Sequence, residues 1–125
     1  MDYTDVSRNL AARGAEVLVF PTADLQSWGR VQHMQHAGMT ALRAVETRRA
    51  MFRVASSGVS QVVDAHGRVV ASLGFDKRGF LQATLRRGEV RTVFVRGGYV
   101  FPWLCLLAAV VVSVMCGLKT WTISR

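Results

Sequence analysis

The distribution of hydrophobic residues divides the 125-residue chain into two parts. Residues 1–98 alternate short apolar runs with polar and charged positions, whereas Val100–Leu118 carries no charged residue. Alternation is typical of a small domain with a modest core, and an unbroken apolar run is typical of a membrane-spanning helix. We therefore predict a domain at 1–98, a transmembrane helix at 99–119 and a short tail at 120–125.

The apolar run has the length and the flanking residues of a single membrane crossing. As a helix it measures roughly 28 Å, close to a hydrocarbon thickness of about 30 Å. Tyr99, Trp103 and Trp121 bracket it as interfacial aromatics do, and Arg96 and Lys119 can reach the headgroups. The alternative, a helix buried in a soluble core, needs partners on every side, and the preceding residues are too few to wrap it.

Within 1–98, periodicity and turn residues predict an α/β domain with helices packed on a sheet. The predicted helices are Thr4–Arg13 and Val31–Arg49. The predicted strands are Ala15–Phe20, which Pro21 stops, Phe52–Ser57, Val59–Val63, Arg68–Leu73 and Phe80–Leu85. Asp64–Gly67 is predicted to be a tight turn that joins two of these strands in a β-hairpin.

The long predicted helix has two chemically different faces at helical spacing. Its apolar face consists of Val31, Met34, Ala41, Leu42 and Val45. The opposite face carries His36, Thr40, Arg43 and Thr47.

The charge of the chain favours an anionic partner. Of its 16 basic and 8 acidic residues, only Lys119 and Arg125 lie after residue 98, which leaves a net charge of +6 before the apolar run. Such a surface attracts anionic lipid or nucleic acid. Lipid is the simpler partner beside a membrane helix, and no nucleic-acid recognition motif is present, so no nucleic-acid partner is predicted. The arginines that could face lipid, or form an ordinary solvated face, are Arg48, Arg49, Arg53, Arg86 and Arg87.

Neither cysteines nor histidines indicate a metal or cofactor site. Cys105 and Cys116 both lie in the apolar run, where a thiol stays protonated and unreactive. His33 and His36 are three residues apart, a spacing that can chelate a metal, but no suitable third ligand is evident. We predict no metal and no cofactor.

Three segments follow one another in a characteristic order. Arg13–Pro21 is an apolar strand after a helix. His36–Glu46 carries a histidine and then R-A-x-E, and Phe52–Val70 carries R-x-x-x-x-G-x-S followed by G-x-V. Together these motifs resemble the nitrilase, or carbon–nitrogen hydrolase, superfamily. The ending Arg91–Tyr99, which runs into the apolar segment, is similar to that of the apolipoprotein N-acyltransferases.

The resemblance implies a fold, a place and a reaction. The fold is a nitrilase-like αββα sandwich, of which residues 1–98 would be the C-terminal portion. The place is the bacterial inner membrane, with a single crossing and the domain on the periplasmic side, although the arginines before the run would by themselves favour the cytoplasm. The reaction is transfer of an acyl chain from a phospholipid to the amino terminus of a lipoprotein through a cysteine thioester.

The catalytic groups of that reaction do not map onto this sequence. The family uses a cysteine nucleophile, a glutamate base and a lysine that stabilises the oxyanion. The cysteine would precede the helix at Thr4–Arg13, and none does; Lys77, Glu16 and Glu46 lie in other segments than the family's lysine and glutamate. We therefore assign no catalytic residue and interpret the chain as a fragment, inactive alone, whose partner is the missing N-terminal half or another chain at an open sheet edge.

Four residues match supporting positions of the resemblance. Trp28 resembles an aromatic residue at the pocket mouth, and His36 matches a histidine on the long helix. Arg43 and Glu46 are three residues apart on that helix and can pair near the pocket. The alternatives are loop packing for Trp28, a hydrogen-bonded structural role for His36 and an exposed ion pair for Arg43 and Glu46. For the whole chain the alternative is a non-catalytic membrane-anchored interaction module, or a fragment of another carbon–nitrogen hydrolase.

Overall fold

The computed structural model describes residues 4–123, and their side chains as far as residue 115. It contains four helices and four strands, which we number in chain order. The helices are α1 (Thr4–Ala12), α2 (Arg30–Thr47), α3 (Val93–Gly97) and α4 (Val100–Ile123). The strands are β1 (Val17–Thr22), β2 (Ala50–Ala55), β3 (Ser60–Val63) and β4 (Val69–Leu73). The predicted α/β class is confirmed.

The strands form one mixed sheet in the order β1-β2-β3-β4. β1 and β2 are parallel and are joined through α2, and β2, β3 and β4 are antiparallel neighbours. In the turn between β3 and β4, Gly67 has φ +83°, and its amide donates to the Asp64 carbonyl at 3.0 Å. The predicted hairpin is confirmed, since glycine adopts this left-handed conformation without steric cost.

Two predicted boundaries are wrong for local reasons. β1 does not stop at Pro21 but continues to Thr22, with Pro21 paired to Val54 of β2. β1 has only β2 as a neighbour among the described strands, so the missing N–H of proline leaves no ladder bond broken there. α2 ends at Thr47 rather than Arg49, because Arg48 takes the left-handed conformation (φ 51°) that closes a helix.

The core lies between α2 and one face of the sheet. Leu18 of β1, Met51 of β2 and Val63 of β3 project from the sheet against Ala44 of α2, and all four are buried. Small residues on α2 let the helix approach the strands closely. α1 and α3 pack against α2 in the same layer, so the described domain has one helical layer on one sheet.

α2 packs on the sheet mainly through residues outside its apolar stripe. Most of that stripe points outward, with Val31 71%, Met34 55% and Leu42 52% exposed, whereas Ala41 packs against the core. The residues buried against the domain are His33, Ala37, Thr40, Ala44 and Thr47. The face that packs is therefore the small and polar one, because it must fit close to the sheet and bond to polar groups there.

The second face of the sheet is only partly covered. Phe52 and Val62 on that face line a cleft with Leu81, from the extended segment that follows β4. Val19 and Val54 remain 63% and 57% exposed. The strand predicted at Phe80–Leu85 is wrong: this segment is extended but joins no ladder among the described residues, and Phe80 is 90% exposed. Alternation alone does not make a strand where no neighbouring strand supplies hydrogen bonds.

α4 begins at Val100 and continues through the predicted tail as far as Ile123. No helix in the part of the chain that the structure describes is long and apolar enough to cross a membrane. The predicted transmembrane helix at 99–119 is therefore not confirmed. The side chains of Cys116, Lys119 and Trp121 and the terminal residues 1–3 and 124–125, on which further predictions depended, lie outside the described residues.

Candidate functional site

The polar residues of the domain gather where β1 and β2 end. Because these strands are parallel, Thr22 and Ala55 lie side by side at the same edge of the sheet. We call this the carboxyl edge. The loops that leave it, residues 23–29 and 56–59, pack against each other there, as ligand-binding loops of parallel sheets do.

Asp24, in the first of these loops, is the centre of a buried polar cluster. Both of its carboxylate oxygens accept hydrogen bonds from Arg53 Nη2 of β2, at 2.8 and 2.7 Å, and both side chains are fully buried. Two histidines of α2 approach the same carboxylate through Nδ1, His36 at 2.9 Å and His33 at 3.5 Å. We refer to Asp24, His33, His36 and Arg53 as the Asp24 cluster.

The second loop is fixed on the backbone of Asp24. The hydroxyls of Ser56 and Ser57 both donate to the Asp24 carbonyl, at 3.1 and 2.6 Å. Gly58 lies so close that any Cβ there would overlap the Asp24 carboxylate. Arg53 also donates through Nη1 to the carbonyl of Val59. The two loops are therefore joined to β2 and α2 through one aspartate.

The electrostatics of the cluster keep Asp24 ionised. Burial by itself raises the pKa of the Asp24 carboxyl, but the hydrogen bonds and positive charge of Arg53, followed by those of His36, outweigh it and hold the pKa below the ordinary value. The negative charge of Asp24 is thus matched within the domain by Arg53, and the pair presents little net charge to the loops around it.

Aromatic rings cover the histidine side of the cluster. Trp28 packs on both imidazoles, with ring centroids 5.9 Å from His33 and 5.4 Å from His36. Phe75, from the loop after β4, stacks on His33 at 5.8 Å with nearly parallel rings. Trp28, His33, Phe75 and Ser57 line a small cavity of about 60 Å³. The rings hold the imidazoles in place and limit water access to the cluster.

The structure brings together two of the four residues predicted to support a pocket. Trp28 and His36 meet in the Asp24 cluster. Arg43 and Glu46 form the predicted ion pair, which is mostly buried rather than exposed, but it stands apart from Asp24. Among the described side chains, no hydrogen bond or ion pair joins the Arg43–Glu46 pair to Asp24. The carbonyl of Glu46 instead accepts a hydrogen bond from the Thr92 hydroxyl at 2.6 Å, which ties α2 to the start of α3.

Two residues that organise the site, Asp24 and Arg53, were not among the predicted site residues. Arg49 and Arg53 were expected to face either lipid or solvent, but they are only 2% and 1% exposed, so both interpretations are wrong for these two residues. Arg49 instead donates to the carbonyls of Ala15 and Val90. The signal for Arg53 was its position inside an apolar strand, where a charge requires a buried partner. Asp24, in the loop at the end of the neighbouring strand, is that partner.

The described contacts of the two serines position the loops. Ser56 and Ser57 donate to a backbone carbonyl, so neither hydroxyl is hydrogen-bonded to a base that would activate it. Among the described residues, no group of three histidine, cysteine, aspartate or glutamate side chains is arranged to hold a metal ion.

Comparison with known proteins identifies the fold family of this site. The carbon–nitrogen hydrolase family model matches residues 1–93, which include α1, the whole sheet and the Asp24 cluster. The chain belongs to the carbon–nitrogen hydrolase family. The resemblance inferred from the ordered motifs is therefore confirmed, and with it the nitrilase-like α/β fold.

Within this family, curated relatives share one name. An apolipoprotein N-acyltransferase of Geobacter metallireducens is 30% identical over 113 residues, 90% of this chain and 22% of the relative. A protein of the same name from Thermotoga maritima is 35% identical over 87% of this chain and 22% of the relative. Another from Sinorhizobium medicae is 43% identical over 66% of this chain and 15% of the relative. The chain thus spans about a fifth of the length of the first two relatives.

A solved structure gives a similar but weaker match. It is a mutant of an amidase from Nesterenkonia AN1, of the nitrilase superfamily, with a TM-score of 0.48 and 25% identity. The superposition covers 60% of this chain and 30% of that chain.

Proposed function

We propose that this chain is the C-terminal part of a membrane acyltransferase of the carbon–nitrogen hydrolase family, and that it transfers no acyl group by itself. The observation that carries the proposal is its similarity to apolipoprotein N-acyltransferases over 90% of its length. In this reaction a cysteine thiolate attacks the acyl ester of a phospholipid and releases the alcohol. The amino terminus of a lipoprotein then attacks the resulting thioester, forms an amide and releases the thiolate.

In this proposal the chain supplies one wall of the pocket. The carboxyl edge carries the loops that would frame a substrate, and the Asp24 cluster holds them in place. The nucleophile, the glutamate base and the lysine come from polypeptide outside residues 4–123. Trp28 and His36 are supporting residues at the mouth of this pocket, and the Arg43–Glu46 pair supports α2 behind it.

The uncovered sheet face supports the proposed partner. Val19 and Val54 expose apolar surface on the side of the sheet away from the helices, and β1 has a free edge within the described sheet. Exposed apolar surface beside an unpaired strand edge is a site for association. We propose that the N-terminal half of an αββα sandwich packs here, supplied by the same polypeptide or by another chain.

We further propose that α4 is in contact with lipid, as a single inner-membrane crossing with the domain on the periplasmic side. Every described side chain of α4, from residue 100 to residue 115, is exposed, and nearly all are apolar. Apolar side chains without protein neighbours favour a hydrocarbon environment. Protease protection of the domain in oriented membrane vesicles tests the side on which it lies.

Two experiments test the proposed function. The purified chain, incubated with a labelled phospholipid and a diacylated lipopeptide, is expected to yield no acylated product and no thioester. A hydroxylamine-sensitive acyl adduct at Cys105 or Cys116 would show that the chemistry is assigned to the wrong residues. The DNA upstream of the Met1 codon is expected to encode an in-frame cysteine within a few codons, with the lysine and glutamate further upstream.

The exposed sheet face also fits a second function, a non-catalytic module that binds a partner protein. Purification from membranes would then yield a stoichiometric partner, and the mixture would transfer no acyl group. Recovery of acyl transfer when the partner is added back would instead identify that partner as the catalytic half.

A further inference from the structure

A polar cleft of about 230 Å³ opens beside the Asp24 cluster, at the carboxyl edge. Gln26 from the first loop and Ser57 from the second form one side of it. Asp76, Lys77 and Arg78, from the loop after β4, form the other. We call this the lysine cleft, because Lys77 is the only lysine before residue 119. The acyl transfer proposed for the family gives this cleft no role.

The walls of the lysine cleft are held together by hydrogen bonds. The amide of Asp76 donates to the Ser57 carbonyl at 3.0 Å, and Asp76 adopts a left-handed backbone conformation, φ 61°. Ser57 in turn donates to the Asp24 carbonyl, and Asp24 is bonded to buried Arg53. The cleft is therefore connected to the fully buried Asp24–Arg53 pair, and a ligand would find its polar groups already placed.

The charges of the cleft favour an anion. Lys77 and Arg78 are exposed, and neither belongs to any ion pair of the described residues. The buried carboxylate of Asp24 is compensated by Arg53. Asp76 offsets one of the two cations, so the cleft has a net positive charge of one, in a domain that is itself basic. An anion entering the cleft would gain attraction from both cations at once.

We propose that the lysine cleft binds a phosphate group. A guanidinium binds two phosphate oxygens in a fork and an ammonium binds one as a point charge, so Arg78 and Lys77 together suit a tetrahedral anion. Gln26 offers an amide N–H₂ as a further donor. The phosphate comes from a phospholipid headgroup or from free phosphate. Phosphate binding by the cleft does not depend on the proposed function. The assignment of that phosphate to a phospholipid headgroup does rest on the proposed function, because a phospholipid donor must place its headgroup near the loops of the site.

The test uses the full chain in uncharged maltoside micelles and follows backbone amide resonances of Gln26, Ser57 and Lys77 by NMR. The probes are inorganic phosphate, lysophosphatidylglycerol and a monoacylglycerol of the same chain length, which lacks phosphate. The variants are K77Q/R78Q, the conservative K77R, and R86Q/R87Q. The last removes two adjacent exposed arginines outside the cleft and matches the charge change. For each variant, a spectrum without ligand that matches the wild-type spectrum outside the substituted positions verifies that the variant is folded.

We expect both phosphate-bearing probes to shift the cleft amides and the monoacylglycerol to leave them unchanged. K77Q/R78Q should weaken binding at least about tenfold, on the order of the loss of two charge-assisted contacts, while K77R and R86Q/R87Q bind as wild type. Tighter binding of lysophosphatidylglycerol than of inorganic phosphate supports a lipid headgroup as the ligand. Equal binding supports the site and assigns it to free phosphate.

Two results would overturn the proposal. One is binding that R86Q/R87Q weakens as much as K77Q/R78Q, which would show diffuse charge attraction without a site. The other is absence of cleft shifts with either phosphate probe. Neither result depends on acyl transfer, so the lysine cleft and the proposed function can fail separately.

Discussion

Replacing Asp24 by asparagine should strongly destabilise this domain. The variant keeps the shape of the side chain but leaves the guanidinium of Arg53 buried without a counter-charge. Both side chains are fully buried, and the two oxygens lie 2.8 and 2.7 Å from Arg53 Nη2. Removing one partner of such a pair costs about 3–5 kcal/mol. The net free energy of unfolding of a whole domain is only about 5–15 kcal/mol.

The assay is urea unfolding followed by tryptophan fluorescence. Trp28 packs on His33 and His36 and so reports on the Asp24 cluster, and substituting Trp103 and Trp121 by phenylalanine leaves it as the single tryptophan of the chain. The matched control is D76N, an exposed aspartate on the neighbouring loop, which should change the free energy of unfolding by less than about 0.5 kcal/mol.

A double-mutant cycle separates the ion pair from general packing. Removing both charges, as D24N with R53M, should recover part of the stability lost in D24N alone, because the unpaired charge is gone. If D24N costs less than about 1 kcal/mol, the range of an ordinary surface pair, then Asp24 does not organise the carboxyl edge and our description of the site is wrong.

Three further changes test the site and its anchoring. G58A places a Cβ on the Asp24 carboxylate, so it should separate the two loops, destabilise the domain by about 2 kcal/mol or more and shift Trp28 emission. Because the pKa of Asp24 is lower in the folded than in the unfolded chain, its ionised form stabilises the fold above the ordinary value of 3.8, and this contribution is lost as the pH falls below it; D24N should flatten the acid limb of a stability–pH curve. R49M removes the hydrogen bonds to Ala15 and Val90, so it should cost about 2–3 kcal/mol and speed hydrogen exchange at Gly88, whose amide bonds to Glu16.

Each of these changes has a control. G74A is the control for Gly58, since a Cβ at Gly74 meets nothing within 4 Å and should be tolerated. Asp64 also has a lowered pKa, chiefly because the Arg68 amide donates to it, so D64N should remove a separate part of the acid slope and add to D24N. R13M, at an exposed arginine, should leave Gly88 exchange unchanged. The prediction for Gly58 would be contradicted if G74A destabilised the domain as much as G58A. The pH prediction would be contradicted if D24N left the acid slope unchanged. The prediction for Arg49 would be contradicted if R13M and R49M had equal effects on Gly88 exchange.

The chain's periodicity and motifs were sufficient to predict the class, the family and the order of the main elements. α1, α2 and the hairpin follow from local signals, namely helical and strand-length apolar periodicity and the turn at Asp64–Gly67, whereas the parallel pairing of β1 with β2 was not among the predictions. Such signals depend on residues that are close together in the chain, so they can be recognised from the sequence alone. The Arg43–Glu46 pair is of this kind, because three residues on a helix fix their distance.

What the sequence left open was which surfaces meet. The periodicity of α2 shows one apolar face, but it does not say whether that face packs on this sheet. The sheet accepts the face with Ala37, Thr40 and Ala44, because small residues allow close approach and leave room for His33 to reach Asp24. The Asp24–Arg53 pair joins residues 29 positions apart, and only the crossover between two parallel strands brings them together. Contacts at such separations depend on the folded arrangement of whole elements, to which no local pattern in the chain corresponds.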